Sequence, residues 1–346
     1  MAFLPTDEQR AFARSLDAML TAADTPATVR AWAGGDPAPG RALWGRLAEA
    51  GVFALAVPEA YEGVGPLPVE LAHALVESGR HAVPGPLAET VASAVLLGEL
   101  AALGEPGPAK RLLPGLASGE RTATLAMTGP GTETGRNVVP YALDADRADA
   151  VLVVRGEELW QAPGHGPVRV SADPARRLAR PAPGGELLAE GPAVAVAAAH
   201  ARRWAMLATA SQSLGVGLAL LDRTVAYARQ RTQFGTPIGA FQAVKHRLAD
   251  TLLALEFARP LLFGAAVALA AGDDADVREA EGALAAAKVA TGEAGYTAAR
   301  TALQIHGAVG YTEELDLSLW LRRARPLRDA WGNPAECRAA VLDAYA

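Results

Sequence analysis

Tyr227–Asp250 reads YARQRTQFGTPIGAFQAVKHRLAD, and it joins two apolar stripes of helical period. Leu214, Leu218, Leu221 and Val225 form the first stripe, and Phe241, Val244, Leu248, Leu252 and Leu255 form the second. Arg229 and Arg231 fall in the last turn of the upstream helix, where cations suit the negative end of the helix dipole. Gly235 and Pro237 then break the helix off. Taken alone, the stretch is a helical hairpin whose arginines cap a helix.

Working outward, the 346 residues are enough for two or three domains with sizeable cores. Hydrophobic residues make up 51%, with Ala and Leu foremost, which favours helices over sheets. A net charge of −6 leaves no basic footprint for nucleic acid or an anionic membrane surface. The sole cysteine, Cys337, excludes an internal disulfide and multi-cysteine zinc sites; it reads as a small buried apolar residue in a protein of the reducing cytoplasm. The opening MAFLPTDEQR lacks a secretory pattern. The longest apolar run, near Ala193 to Ala199, is too short to span a bilayer, so no membrane span is expected. The six histidines lack the close helical pairing of a metal site, so no metal is expected.

In chain order, Thr6, Asp7 and Glu8 precede Phe12, Leu16 and Leu20, which predicts a capped first helix. Further helices are expected over Arg41 to Ala50, Leu67 to Arg80 and Leu87 to Leu103, with the apolar, Pro- and Gly-rich VFALAVPEAYEGVGP at Val52 to Pro66 between them. No GxGxxG or Walker-type loop occurs. From about Arg121 the pattern turns β-prone: TATLAMT, DAVLVVRG, Glu158 to Ala162 and Val168 to Val170 are candidate strands, and Pro181 to Pro192 is a loop or trimmed strand region. Helices resume near Val194. Pro260 is expected to kink the helix that starts at Phe241, Gly272, Asp273 and Asp274 to form a turn, and Ala275 to Ile305 to form the third helix. Ala286, Ala290, Ala294 and Ala298 permit close helix approach. The reading is mainly α: an N-terminal helical domain over 1–120, a small shortened β domain over 121–192, and a C-terminal four-helix bundle over 193–346.

Arg231, Thr232, Gln233, Phe234 and Gly235, followed by Pro237, Ile238, Gly239, Phe241 and Gln242, resemble the signature of the acyl-CoA dehydrogenase family. A second likeness is ALQIHGAVGYT at Ala302 to Thr312, and a third is the LAVPE segment within Val52 to Pro66. The resemblance implies the three-part fold just described, an acyl-CoA substrate, an electron-transfer acceptor, and FAD bound between two subunits. It implies that Arg231 and Phe234 reach the pyrophosphate and adenine side of a partner's FAD, and that Gln304 and the Gly307 turn do likewise. Physically this is sound: a guanidinium grips phosphate oxygens, an aromatic ring covers a flat heterocycle, and glycine lets backbone approach a ligand. In the β domain, Met127, Thr128, Gly129, Pro130 and Gly131 stand where the family carries a Thr-Glu-Pro-Gly segment, so Thr128 is retained as a flavin contact while the acidic residue is absent. The Trp-Ile-Thr tract beside the isoalloxazine ring has no clear equivalent.

Dehydrogenation of an acyl thioester removes a weakly acidic α proton, so a base is indispensable. The family places a Glu at one of two positions. Alignment puts Trp331 at one, within Ala330, Trp331, Gly332 and Asn333, and Ala205, followed by Met206, at the other. Neither can accept a proton; indole offers only an N–H donor. Displaced candidates are Asp329, which reads equally as an ion-pair or cap residue beside Arg328, Glu336, which reads as ordinary charge at a helix start after Pro334, and His306, which reads as structural in the glycine turn. Groups serving a neighbour's FAD are thus present, while those serving the chain's own flavin and substrate are thinned. That asymmetry resembles the short base-less subunits of heteromeric acyl-CoA dehydrogenases of bacterial sterol side-chain degradation, and implies a homologous Glu-bearing partner. Two alternatives stand beside it: a self-sufficient homo-oligomer acting on acyl-CoA or a carrier-bound acyl group with a displaced base, and a structural paralogue that binds no flavin.

Overall fold

Helices dominate the fold. In the computed structural model, which describes residues 5–127, 140–169, 171–272 and 277–346, they are α1 (Asp7–Thr21), α2 (Thr25–Gly34), α3 (Ala38–Glu49), α4 (Pro68–Arg80), α5 (Leu87–Ala102), α6 (Pro106–Ala117), α7 (Pro192–Gln230), α8 (Gln242–Ala270), α9 (Val277–His306), α10 (Leu317–Asp329) and α11 (Pro334–Tyr345). Strands β1 (Ala123–Met127), β2 (Ala142–Leu143), β3 (Ala150–Arg155), β4 (Glu158–Gln161), β5 (Leu178–Ala179) and β6 (Glu186–Glu190) lie between α6 and α7, and β7 (Thr232–Gln233) and β8 (Thr236–Pro237) between α7 and α8. Two compact units result: Met1–Pro26, Ala72–Val83 and Met206–Ala346 form one, Ala27–Leu71 and Pro84–Ala205 the other.

The first unit is all helical apart from the β7–β8 ribbon. Thr6 starts α1 with a capping box: its hydroxyl accepts from Gln9 N at 3.2 Å while Gln9 Oε1 accepts from Thr6 N at 2.9 Å. Close crossings depend on two glycines. A Cβ on Gly215 of α7 would lie 2.0 Å from the Val76 carbonyl oxygen of α4, and one on Gly295 of α9 would lie 2.7 Å from the Ser213 carbonyl oxygen. Helix α10 is tied to the end of α4 by Trp320 Nε1–H donating to the Arg80 carbonyl at 2.8 Å and by Arg323 Nη1 donating to the Val83 carbonyl at 3.1 Å.

In the second unit, β1 and β3 run parallel while β3–β4 and β4–β6 are antiparallel, in the order β1-β3-β4-β6. All of β3 except Arg155 is buried, the continuous apolar pattern of a covered strand. Thr90 of α5 binds the start of β1 from both sides of its hydroxyl, donating to the Ala123 carbonyl (2.7 Å) and accepting from Ala123 N (3.2 Å). Asp144, wholly buried, ties β2 to α2: its Oδ1 accepts from Trp32 Nε1 at 3.1 Å and from Arg177 N at 3.3 Å, and its Oδ2 has no hydrogen-bond partner. Burial pushes this carboxyl up to about 7.

The structure departs from the sequence expectations at several elements. Pro260, where a kink is expected, lies inside α8, which runs from Gln242 to Ala270 with Ala258 and Leu262 buried on either side of the proline. Helices α2 and α6 were not expected; α6 forms across Gly107, Pro108, Pro114 and Gly115 because Leu112, Leu113 and Leu116 bury one face. Of the candidate strand at Val168–Val170, Val168 is in no strand and Arg169 makes an isolated bridge to Leu178, while Val170 lies outside the described residues, as do Asp273 and Asp274 of the expected turn. Of the two readings for Pro181–Pro192, loop or trimmed strand, the strand β6 is found. The longest uninterrupted apolar run also proves too narrow a gauge of helix hydropathy: α7 and α8 are long and apolar enough to cross a membrane by length and composition, with 94% of the apolar window of α7 and 33% of that of α8 buried inside the structure.

Candidate functional site

Between α7 and α8 the backbone makes a two-residue β-turn. Gln233 pairs with Thr236, leaving Phe234 (φ 53°) and Gly235 (φ 78°) as the central residues, both left-handed, the requirement of a type I′ hairpin. Glycine takes this conformation freely, whereas a phenylalanine is strained in it. Phe234 is 93% exposed, its ring meeting Phe241 edge-on at a centroid distance of 6.2 Å. Arg231 sits at the base of the ribbon, its backbone N–H donating to Tyr227 O at 2.9 Å and its carbonyl accepting from Ile238 N at 2.8 Å. Its side chain is exposed and makes no ion pair among the described residues.

The second sequence match closes on the first. At the end of α9, His306 stacks on Tyr227 of α7 with ring centroids 4.1 Å apart. His306 Nδ1–H donates to the Ala302 carbonyl at 2.8 Å, and burial pulls its pKa down, which favours the neutral ring. Gln304 and Gly307 flank this stack, both exposed, and Gly307 has φ 64°, open to glycine without strain. The stack was not anticipated from sequence; Tyr227 is four residues from Arg231, and only the fold shows what it meets. Thr128 lies outside the described residues.

At the first aligned base position the chain turns between α10 and α11. Trp331 is left-handed (φ 59°) and half-buried, and Gly332 has φ 140°. A Cβ on Gly332 would lie 2.9 Å from Cys337 Sγ and 3.2 Å from Met206 Cε, so the backbone there rests on α7 and α11. Thr209 Oγ1 donates to the Ala330 carbonyl at 3.4 Å, and the buried Lys288 Nζ donates to the Leu327 carbonyl in the last turn of α10. Asn333 then caps α11 through the N–H groups of Ala335 (2.9 Å) and Glu336 (3.0 Å). Glu336 completes the capping box by accepting from Asn333 N at 3.4 Å, the ordinary role foreseen for it. Asp329 is exposed, and Arg328 turns from it to Glu293 at 3.0 Å. At the second position Ala205 is fully buried within α7. No carboxylate stands at either aligned position.

One further titratable set lies in the first unit. Asp17, Glu77 and His81 place three donor atoms within 4.8 Å of one another. A search for paired histidines misses it, because two of the three groups are carboxylates and one comes from α1. Arg80 Nε stands 3.6 Å from Glu77 Oε2, so a cation is already supplied there.

Comparison with known proteins bears on both ends of the chain. Residues 6–120 match the family described as Acyl-CoA dehydrogenase, N-terminal domain, and residues 189–339 match Acyl-CoA dehydrogenase, C-terminal domain. Acyl-CoA dehydrogenase IpdE2 of Mycobacterium tuberculosis is 32% identical over 336 residues, which span 96% of this chain and 95% of that protein. Among solved structures, a variant of the Tcur3481-Tcur3483 steroid ACAD has 25% identity and a TM-score of 0.80 over 98% of each chain. The ChsE4-ChsE5 complex from Mycobacterium tuberculosis, 24% identical, shares the fold with a TM-score of 0.82 over 99% of this chain and 98% of that one. Two matched domains on either side of the strands, and a relative alike from end to end, place the chain in the acyl-CoA dehydrogenase family of flavoprotein oxidoreductases.

Proposed function

We propose that this chain is an acyl-CoA dehydrogenase subunit that lacks a catalytic carboxylate of its own and lends half of a FAD site to a homologous, carboxylate-bearing partner. The observation that carries the reading is the strained, solvent-facing hairpin that presents Phe234 on the same exposed ribbon as Arg231; beside it stands the sequence resemblance, which puts the indole of Trp331 where the family carries its base. Arg231 would grip pyrophosphate oxygens, Phe234 would cover the adenine, and Gln304 and Gly307 would close the same side with an amide and an open backbone. When bound, FAD supplies the hydride-accepting chemistry. Trp331 can donate a hydrogen bond but cannot take the α proton of an acyl thioester. A subunit partner also suits α8, which exposes Leu252, Leu253, Leu261 and, at 74%, Phe257. The steroid ACAD among the similar structures supports a steroid-derived acyl-CoA as the substrate class.

The test is coexpression with a Glu-bearing homologue, followed by flavin quantitation and anaerobic bleaching of the flavin band by straight-chain, branched and steroid-derived acyl-CoAs. Stoichiometric flavin and rapid bleaching are expected only for the mixed complex. Rapid bleaching by this chain alone would establish the self-sufficient enzyme instead, and flavin in neither preparation would leave the structural paralogue. In the complex, Arg231→Ala removes a charge-assisted hydrogen bond, a loss of about 1.5–3 kcal/mol, and should weaken FAD roughly ten- to hundred-fold.

A further inference from the structure

The cluster on α1 and α4 is not absorbed by the FAD half-site. Leu16 and Leu20 bury the apolar face of α1, and Asp17 stands beside them at the edge. His81, one residue past α4, donates from Nε2 to Asp17 Oδ1 at 2.8 Å. One turn back on the same face, Glu77 has only 12% of its side chain exposed, and its Oε2 is shielded from solvent without a hydrogen-bond partner. The charges facing Glu77 come from three elements: Asp17 on α1, Arg80 on α4 and, farther off, Arg259 on α8. Arg80 is shared, since its Nη2 also donates to Asp222 Oδ2 of α7 at 3.1 Å. Glu77 therefore sees the shared Arg80, a more distant Arg259 and the carboxylate of Asp17.

We propose that Asp17, Glu77 and His81 form a proton-operated latch that holds α1 on α4, closed when Glu77 carries a proton and loosened when Glu77 ionises. Protonated, Glu77 is a neutral acid that can donate toward the Asp17 carboxylate within the 4.8 Å cluster, while His81 holds the other side of Asp17. Ionised, it places two carboxylates in one half-buried space, faced by the His81 imidazole, a shared Arg80 and a distant Arg259. Burial raises the Glu77 pKa from 4.5 to about 7, so the change falls near neutral pH. The sign follows: a carboxyl whose folded pKa is raised stabilises the closed contact at low pH, and that contribution is lost as pH rises through about 7.

The experiment is hydrogen–deuterium exchange of the full chain between pH 6 and pH 8, corrected for intrinsic exchange, read on the amides of α1. Linkage between an opened value of 4.5 and a closed value of about 7 gives about a tenfold rise in α1 opening across this range. Glu77→Gln should hold α1 at its low-pH protection at both pH values. If that variant does not fold, Asp17→Asn serves: it removes the opposing charge and should shift the wild-type midpoint to lower pH. Corrected protection of α1 that is flat with pH in the wild type, or a slope unchanged in the substituted chain, overturns the latch.

Discussion

Phe234 carries two costs at once, a left-handed backbone and an aromatic ring given almost wholly to solvent. A type I′ turn requires the left-handed backbone but not a phenylalanine in it, since its natural first residue is asparagine. Phe234→Asn should therefore stabilise the isolated chain by about 0.5–1 kcal/mol, read as a higher urea midpoint, while weakening flavin retention in the mixed complex. A variant that is stabilised with flavin binding untouched would reduce Phe234 to a turn residue. From the sequence Gly235 and Pro237 mark only a break between two helices; the β-hairpin pairing Gln233 with Thr236 emerges in the fold. The strain emerges there too, because φ belongs to the pairing of β7 with β8 and to no single residue. The aromatic stack of Tyr227 on His306 escaped notice for a similar reason: it joins residues at the ends of α7 and α9 that no periodicity connects.

At the scale of elements, hydrophobic period located α1, α4, α5 and the long C-terminal helices to within a few residues. It failed where breakers outvoted burial. In α6, Pro114 and two glycines read as loop, yet three buried leucines hold the helix. In α8, where a kink at Pro260 is expected, one face built from Leu255, Ala258, Leu262 and Phe263 is buried and carries the helix past the missing amide. Glycine had a second meaning that composition does not disclose. Gly215 and Gly295 are crossing points where backbone meets backbone, and Gly215→Ala should cost about 1–3 kcal/mol by forcing α7 away from α4. The expected signature is a lower denaturation midpoint for the unit that contains both helices, with an unchanged denaturant slope. On α8, Phe257→Ser should weaken association with the homologous subunit while leaving the secondary structure of the chain unchanged, measured by sedimentation and circular dichroism.

For the molecule as a whole, each compact unit holds one carboxyl raised to about 7, Glu77 in the first and Asp144 in the second. Raised folded values mean stability present at acid pH and lost as pH climbs through about 7, the reverse of the usual salt-bridged carboxylate. Thermal midpoints should therefore fall from pH 5 to pH 8. Asp144→Asn, which keeps an acceptor for Trp32 and Arg177, should flatten the part of that fall that belongs to the second unit. A wild-type midpoint that rises over the same range would show that these two groups ionise normally. The net charge of −6 spoke only of surfaces and partners; no count of charges reveals which carboxyl the fold will bury.

The packing beneath Gly332 has a practical use. Cys337 is the sole thiol of the chain, 1% exposed, and its sulfur sits against the turn that carries Trp331. A chromogenic disulfide reagent reaches it when the packing of that turn on α11 opens, so the rate of thiol release is a built-in clock for the loop that carries Trp331. Untouched protein should react slowly, and partner binding should change that rate without any introduced label.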